Sequence, residues 1–91
     1  MATASARHIL VDSEDKCLAL KADIEAGKDF AEAAMENSSC PSKANGGELG
    51  EFGPGQMVPD FDKVCFNGEV GVLHVVQTQL GYHIVEVTSR S

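Results

Sequence analysis

Apolar positions along this chain recur at two spacings, and each change of spacing predicts a change of element. Residues 7–11 read Arg-His-Ile-Leu-Val, a short run rich in apolar and β-branched residues that suits a buried strand. Ser13 then precedes Glu14 and Asp15, the pattern of an N-cap followed by acids in a first helical turn. Cys17, Leu20 and Ile24 follow at helical spacing and Gly27 acts as a stop, which predicts a helix over roughly residues 14–26. Asp29 caps a second short helix over 30–36, with Phe30 and Ala34 on one face.

Between Ser38 and Gly55 the pattern breaks. Pro41, Gly46, Gly47, Gly50, Gly53, Pro54 and Gly55 forbid a long helix, and only Glu48–Phe52 alternates like a strand. Pro59 suits the first turn of a third helix, with Phe61, Val64 and Cys65 inward and Gly68 beyond its end. Residues 72–78 and 82–88 predict two strands joined around Gln79-Leu80-Gly81. The order β-α-α-β-α-β-β implies an α+β domain with a small, mostly antiparallel sheet. With no internal repeat and no dividing linker, residues 1–91 are read as one domain, and residues 1–6, which carry no pattern, as a flexible N-terminus.

Composition narrows the function. The chain has 91 residues, near the lower end of what folds alone, so it can build one modest core. Seven basic residues against 14 acidic ones give a net charge of −7, the wrong sign for nucleic acid or an anionic membrane surface. Cys17, Cys40 and Cys65 are odd in number and widely spaced, which reads as reduced thiols and not a disulfide framework. No apolar leader or membrane-length run is visible, so the expected compartment is the cytoplasm, or an organelle interior if a transit peptide has been removed.

The glycine-rich segment is no phosphate cradle. Gly46-Gly47-x-x-Gly50 lacks the G-x-G-x-x-G spacing, no Walker lysine follows, and the segment runs into a strand. His8, His74 and His83 lack the short spacings of a zinc site, so no metal or cofactor is expected. What remains is Ser39-Cys40-Pro41-Ser42, Gly46-Gly47-Glu48-Leu49-Gly50 and Gly55-Gln56-Met57-Val58-Pro59, with His8-Ile9-Leu10-Val11 before them and Gly81-Tyr82-His83-Ile84-Val85 after. These anchors, in this order, resemble the parvulin family of peptidyl-prolyl cis/trans isomerases, in particular its minimal bacterial type, from Arg7 to about Val87.

The resemblance implies four antiparallel strands surrounded by helices, with a cleft on one face of the sheet. It implies that His8 and His83 match the family's paired histidines, Cys40 its active-site cysteine and Thr78 the nearby hydroxyl. Leu49, Met57 and Phe61 match the apolar pocket for the proline ring. Rotation about a prolyl bond breaks no covalent bond, although its barrier is close to the ~18–20 kcal/mol of any amide. A site that holds the ring and binds the twisted amide more tightly than either planar form is therefore sufficient, without nucleophile or cofactor.

Period-two alternation places His8 with Leu10, and His83 with Val85 and Val87, so the two rings meet if the first and last strands are neighbours. Cys17, Cys65 and Phe66 read as core, and His74 as an exposed strand residue. Pin-type parvulins that read phosphoserine carry a basic cluster after the first strand. Here Asp12-Ser13-Glu14-Asp15 is acidic and repels a doubly charged phosphate. The expected partners are proline-containing, unphosphorylated polypeptides met by a monomer. Two rival classes remain: a peptide-binding or chaperone module using the same cleft without turnover, and a Cys-His thiol enzyme at Cys40.

Overall fold

The computed structural model describes residues 3–90, the side chain of Ser42 excepted. In chain order the elements are β1 (Ala4–Val11), α1 (Glu14–Glu25), α2 (Phe30–Asn37), a 3₁₀ turn (Pro41–Asn45), β2 (Glu48–Phe52), α3 (Pro59–Asn67), β3 (Leu73–Thr78) and β4 (Gly81–Arg90). The strands form one antiparallel sheet in the order β2-β1-β4-β3. The strands from the two ends of the sequence are thus its central pair.

Local chemistry accounts for the helix starts. Ser13 Oγ accepts from Lys16 N at 3.1 Å, and Asp29 Oδ2 accepts from Glu32 N at 3.0 Å, each satisfying an otherwise orphaned amide of a first turn. α3 has no side-chain cap, but Pro59 at its start has no N–H to satisfy and a φ already set for a helix. The Asp62 carboxylate in the same turn accepts from Gly55 N at 2.9 Å, fixing the loop that leads into α3.

Alternation along the strands divides the core in two. Ile9, Val11 and Ile84 face α1 and α2, where they pack with Cys17, Leu20, Phe30, Ala33 and Ala34. Ala4, Ala6, Val76, Val85 and Val87 lie on the opposite face with Phe52 and with Phe61 and Cys65 of α3. Each large apolar side chain so buried contributes about 1.5–3 kcal/mol. Burial raises the thiol pKa of Cys17, and with help from Asp62 pushes that of Cys65 up to about 11, so both act as small core residues.

The first strand begins earlier than its sequence suggests. Residues 4–6, expected to form a flexible N-terminus, belong to β1: Ala4 and Ala6 are buried, and this segment pairs with β2 on one side and β4 on the other. Ala-Ser-Ala has little strand propensity, but two flanking strands and a covering helix that needs small residues beneath it decide the outcome. Residues 1 and 2 lie outside the described residues. The β3–β4 turn is also tighter than predicted, because Gly81 already pairs with Thr78 and only Gln79 and Leu80 form the loop.

Candidate active site

β1 and β4 put His8 and His83 side by side on the α3 face. Leu10 pairs with His83 and His8 with Val85, so the two imidazoles come from positions offset along neighbouring strands. Their Nδ1 atoms are 3.0 Å apart, and the rings lie nearly parallel at 14°. His83 Nε2 then lies 2.7 Å from Thr78 Oγ1, which also accepts the backbone N–H of Leu80 at 3.2 Å. Phe61 presents itself edge-on to both imidazoles, with centroids 5.7 Å from each.

This packing sets the protonation. Both histidines are buried. Burial, with the neighbouring His83, lowers the His8 pKa to about 4, and burial lowers that of His83 as well. Both rings are therefore neutral at pH 7, and one proton lies between the two Nδ1 atoms. Two arrangements satisfy the row. In one, His8 Nδ1–H donates to His83, and His83 Nε2–H donates to Thr78, leaving the threonine hydroxyl proton for the cleft. In the other, Thr78 donates to His83, whose Nδ1–H donates to His8. One further proton can enter on the outer nitrogen of the donating ring with the Nδ1–H···Nδ1 bond kept, whereas a second would set two N–H groups against each other.

An open cleft of about 1130 Å³ lies against this row. Leu49, Met57 and Phe61 line it together with His8, Thr78 and His83. Leu49 reaches it because β2 carries a bulge: Ala6 pairs with Gly50 and Arg7 with Glu48, which leaves Leu49 as the extra residue. Gly50, at φ +75°, takes the backbone conformation this needs. Gly47 also has a geometric reason. It sits at φ +86°, gives its carbonyl to His8 N at 2.9 Å, and any Cβ there would collide with the His8 carbonyl.

Of the seven residues singled out by sequence, the structure brings six together in this cleft. Cys40 stands apart from its wall. It is half-buried after α2, and its N–H is held by Ser38 Oγ at 3.3 Å. Ser38 was missed by sequence reasoning, though it is a buried polar residue that also accepts Leu10 N at 3.0 Å and so ties this segment to β1. Val58, Val75, Gln77 and Leu80 also line the cleft and were missed. The one available signal was Leu80, a large apolar residue in a tight turn, 75% exposed. His74 lies half-buried outside the cleft and donates from Nε2 to the Glu69 carbonyl at 3.0 Å. Among the described residues no cluster of three His, Cys, Asp or Glu could hold a metal, and no helix is long and apolar enough to cross a membrane.

Known proteins resemble this chain in sequence and in fold. The sequence pattern of the PPIC-type PPIASE domain matches residues 1–91. The foldase protein PrsA of Halalkalibacterium halodurans is 48% identical over 87 residues, which are 93% of this chain and 26% of that protein. PrsA of Geobacillus kaustophilus is 45% identical over 87 residues, again 93% of this chain and 31% of the other. The chain thus spans about a quarter to a third of the curated relatives it matches. Among solved structures, PrsA from Bacillus anthracis superposes with a TM-score of 0.94 at 34% identity, over 99% of this chain and 42% of that one. NmPin, the parvulin of Nitrosopumilus maritimus, superposes at 0.87 with 30% identity over 98% of both chains.

Proposed function

The chain belongs to the PPIC-type peptidyl-prolyl isomerase, or parvulin, family, and from that premise we propose how its cleft turns a prolyl bond and which bonds it accepts. The domain is a peptidyl-prolyl cis/trans isomerase domain with the α+β fold of that family. The proline ring enters between Leu49, Met57 and Phe61 and is held there while the preceding carbonyl rotates. As the amide twists, its nitrogen becomes pyramidal and its carbonyl loses resonance. The Thr78 hydroxyl, freed to donate when His83 Nε2–H supplies its other bond, meets the changed acceptor. His8 fixes the tautomer of His83 and does not touch the amide. No covalent step is needed. Cys40, held by Ser38 beside β1, acts as a polar neighbour of the site and not as a nucleophile.

One observation carries this reading: a row of His8, His83 and Thr78, its two imidazoles buried, faces three apolar side chains across one cleft. The clients are unphosphorylated. The lining holds Asp60 and no lysine or arginine, and Asp12-Ser13-Glu14-Asp15 adds exposed acidic residues where a phosphate-reading relative carries bases. Assistance to protein folding, a monomeric state and a reducing compartment such as the cytoplasm complete the proposal. The last rests on the odd number and wide spacing of the three cysteines, Cys17, Cys40 and Cys65.

Two-dimensional exchange NMR on an unphosphorylated Leu-Pro peptide tests it. Cis/trans exchange peaks should grow with added protein. Their absence at saturation, with the peptide bound, would leave a binding module. Exchange should persist in Cys40→Ser, and its loss in a folded variant would contradict the noncovalent mechanism. The pH dependence has a definite sign. The unfolded histidines take protons near 6.5 while His8 in the fold resists until about 4. Stability should therefore be fully present above pH 6.5 and decline as pH falls towards 4, while molecules that remain folded keep their exchange activity until the pair itself takes a proton. Urea unfolding at several pH values reads the first, and the exchange rate reads the second.

A further inference from the structure

The sheet has two edges, and they are built differently. β2 exposes Glu48 and Glu51 and is broken by the Leu49 bulge, the usual means of discouraging a further strand. β3 reads Leu-His-Val-Val-Gln-Thr, with no Lys, Arg, Asp, Glu, Pro or Gly, and pairs only with β4 among the described residues. The register says which of its backbone groups are unused. Thr78 and Gly81 close a two-residue turn and so exchange both hydrogen bonds, as do the alternate pairs Val76–His83 and His74–Val85. Leu73, Val75 and Gln77 therefore turn their N–H and C=O groups outward. Val75 and Gln77 are exposed, and both line the cleft.

We propose that the outer edge of β3 is a docking strand for the client chain, which pairs with the backbone of Val75 and Gln77 while its proline occupies the Leu49–Met57–Phe61 pocket. The inference rests on the cleft being the proline site, and adds how the rest of the client is held. Three features of the chemistry favour an extended client over any other occupant. The residue before a proline is confined to extended conformations, so the segment entering the cleft is already strand-like. The outward groups of Val75 and Gln77 lie two residues apart, about 6.8 Å, the repeat of an extended chain. Backbone pairing does not depend on side chains, which suits an enzyme acting on many unfolded sequences. One edge of the substrate is thus clamped while the ring is held and the amide between them turns.

Amide hydrogen exchange by NMR on the 91-residue chain tests this, with and without a saturating, unphosphorylated peptide containing a central Leu-Pro. Occupancy is read independently from the Met57 and Phe61 side-chain signals. With the pocket filled, the Val75 and Gln77 amides should slow markedly, while those of Val76 and Thr78, already bonded to β4, should change little. Pocket signals that shift without protection of Val75 and Gln77 would overturn the docking strand and leave the proline site standing. Pocket signals that do not shift would overturn both. Protection that appears without peptide and grows with protein concentration would assign the edge to a second copy of the chain and also overturn the proposal.

The peptide supplies a second test that needs no protein variant. Replacing each amide on either side of the proline in turn by an ester removes one N–H. Affinity should fall about threefold to tenfold at alternate positions on the side that lies along β3. A uniform or absent effect would contradict pairing. Gln77→Pro removes one outward donor where an edge strand tolerates proline, and should weaken binding by a similar factor.

Discussion

The two faces of one sheet do opposite things with neighbouring residues. Beneath α1 and α2, Ile9, Val11 and Ile84 are closed in by Phe30, Leu20 and two alanines, with the Arg7–Glu86 ion pair at the margin, where Arg7 lies over the Phe30 ring. One residue along on each strand, His8 and His83 face the other way, beneath a single helix that leaves a cleft open. The first face carries stability. The second gives up packing and desolvates two imidazoles, a cost the first face must offset. The lesson is that alternation alone separates the two tasks, and a one-residue slip of β1 would exchange them.

Breaking the sealed face should have the largest effect on stability. Ile84→Ala should cost about 2–5 kcal/mol in urea unfolding, with exchange activity retained by molecules that remain folded. A smaller loss would mean that α1 and α2 collapse into the space. Next comes Ser38, which serves both regions. Ser38→Ala leaves the N–H groups of Leu10 and Cys40 without their acceptor and should cost about 1–3 kcal/mol. On the open face the balance reverses. Met57→Ala should change stability by less than about 1 kcal/mol, since the side chain is only half-buried, but weaken apolar-Pro peptides by roughly tenfold in an NMR titration. Unchanged affinity would remove Met57 from the pocket. The surface outside both faces should matter least. Lys21→Ala removes the ion pair of 2.9 Å with Glu25 on α1 and should cost about 0.3–0.5 kcal/mol.

Much of this contrast was legible in the sequence, for reasons that differ by residue. Helix starts at Ser13 and Asp29 are local chemistry, and local chemistry is what a sequence displays. The period-two alternation gave the partners of His8 and His83 on each strand, but only the adjacency of β1 and β4 makes the two rings meet. Leu49, Met57 and Phe61 were found through resemblance. Nothing in their spacing shows that a bulge at Leu49 sends it into the cleft. Ala4 and Ala6 were hidden by low propensity, because their strand exists only through its neighbours. Ser38 was hidden because its hydroxyl serves a backbone N–H far away in the chain, and the outer edge of β3 because its outward groups are backbone, which every sequence shares.

The account stands most directly on the claim that the open face acts through a neutral hydroxyl held by the histidine pair. Thr78→Val keeps the shape and removes that hydroxyl, and two-dimensional exchange NMR with a Leu-Pro peptide at pH 7.5 reads the consequence. The account predicts exchange slowed by about tenfold or more, with peptide affinity and fold retained. Exchange at the wild-type rate in the folded variant would contradict it.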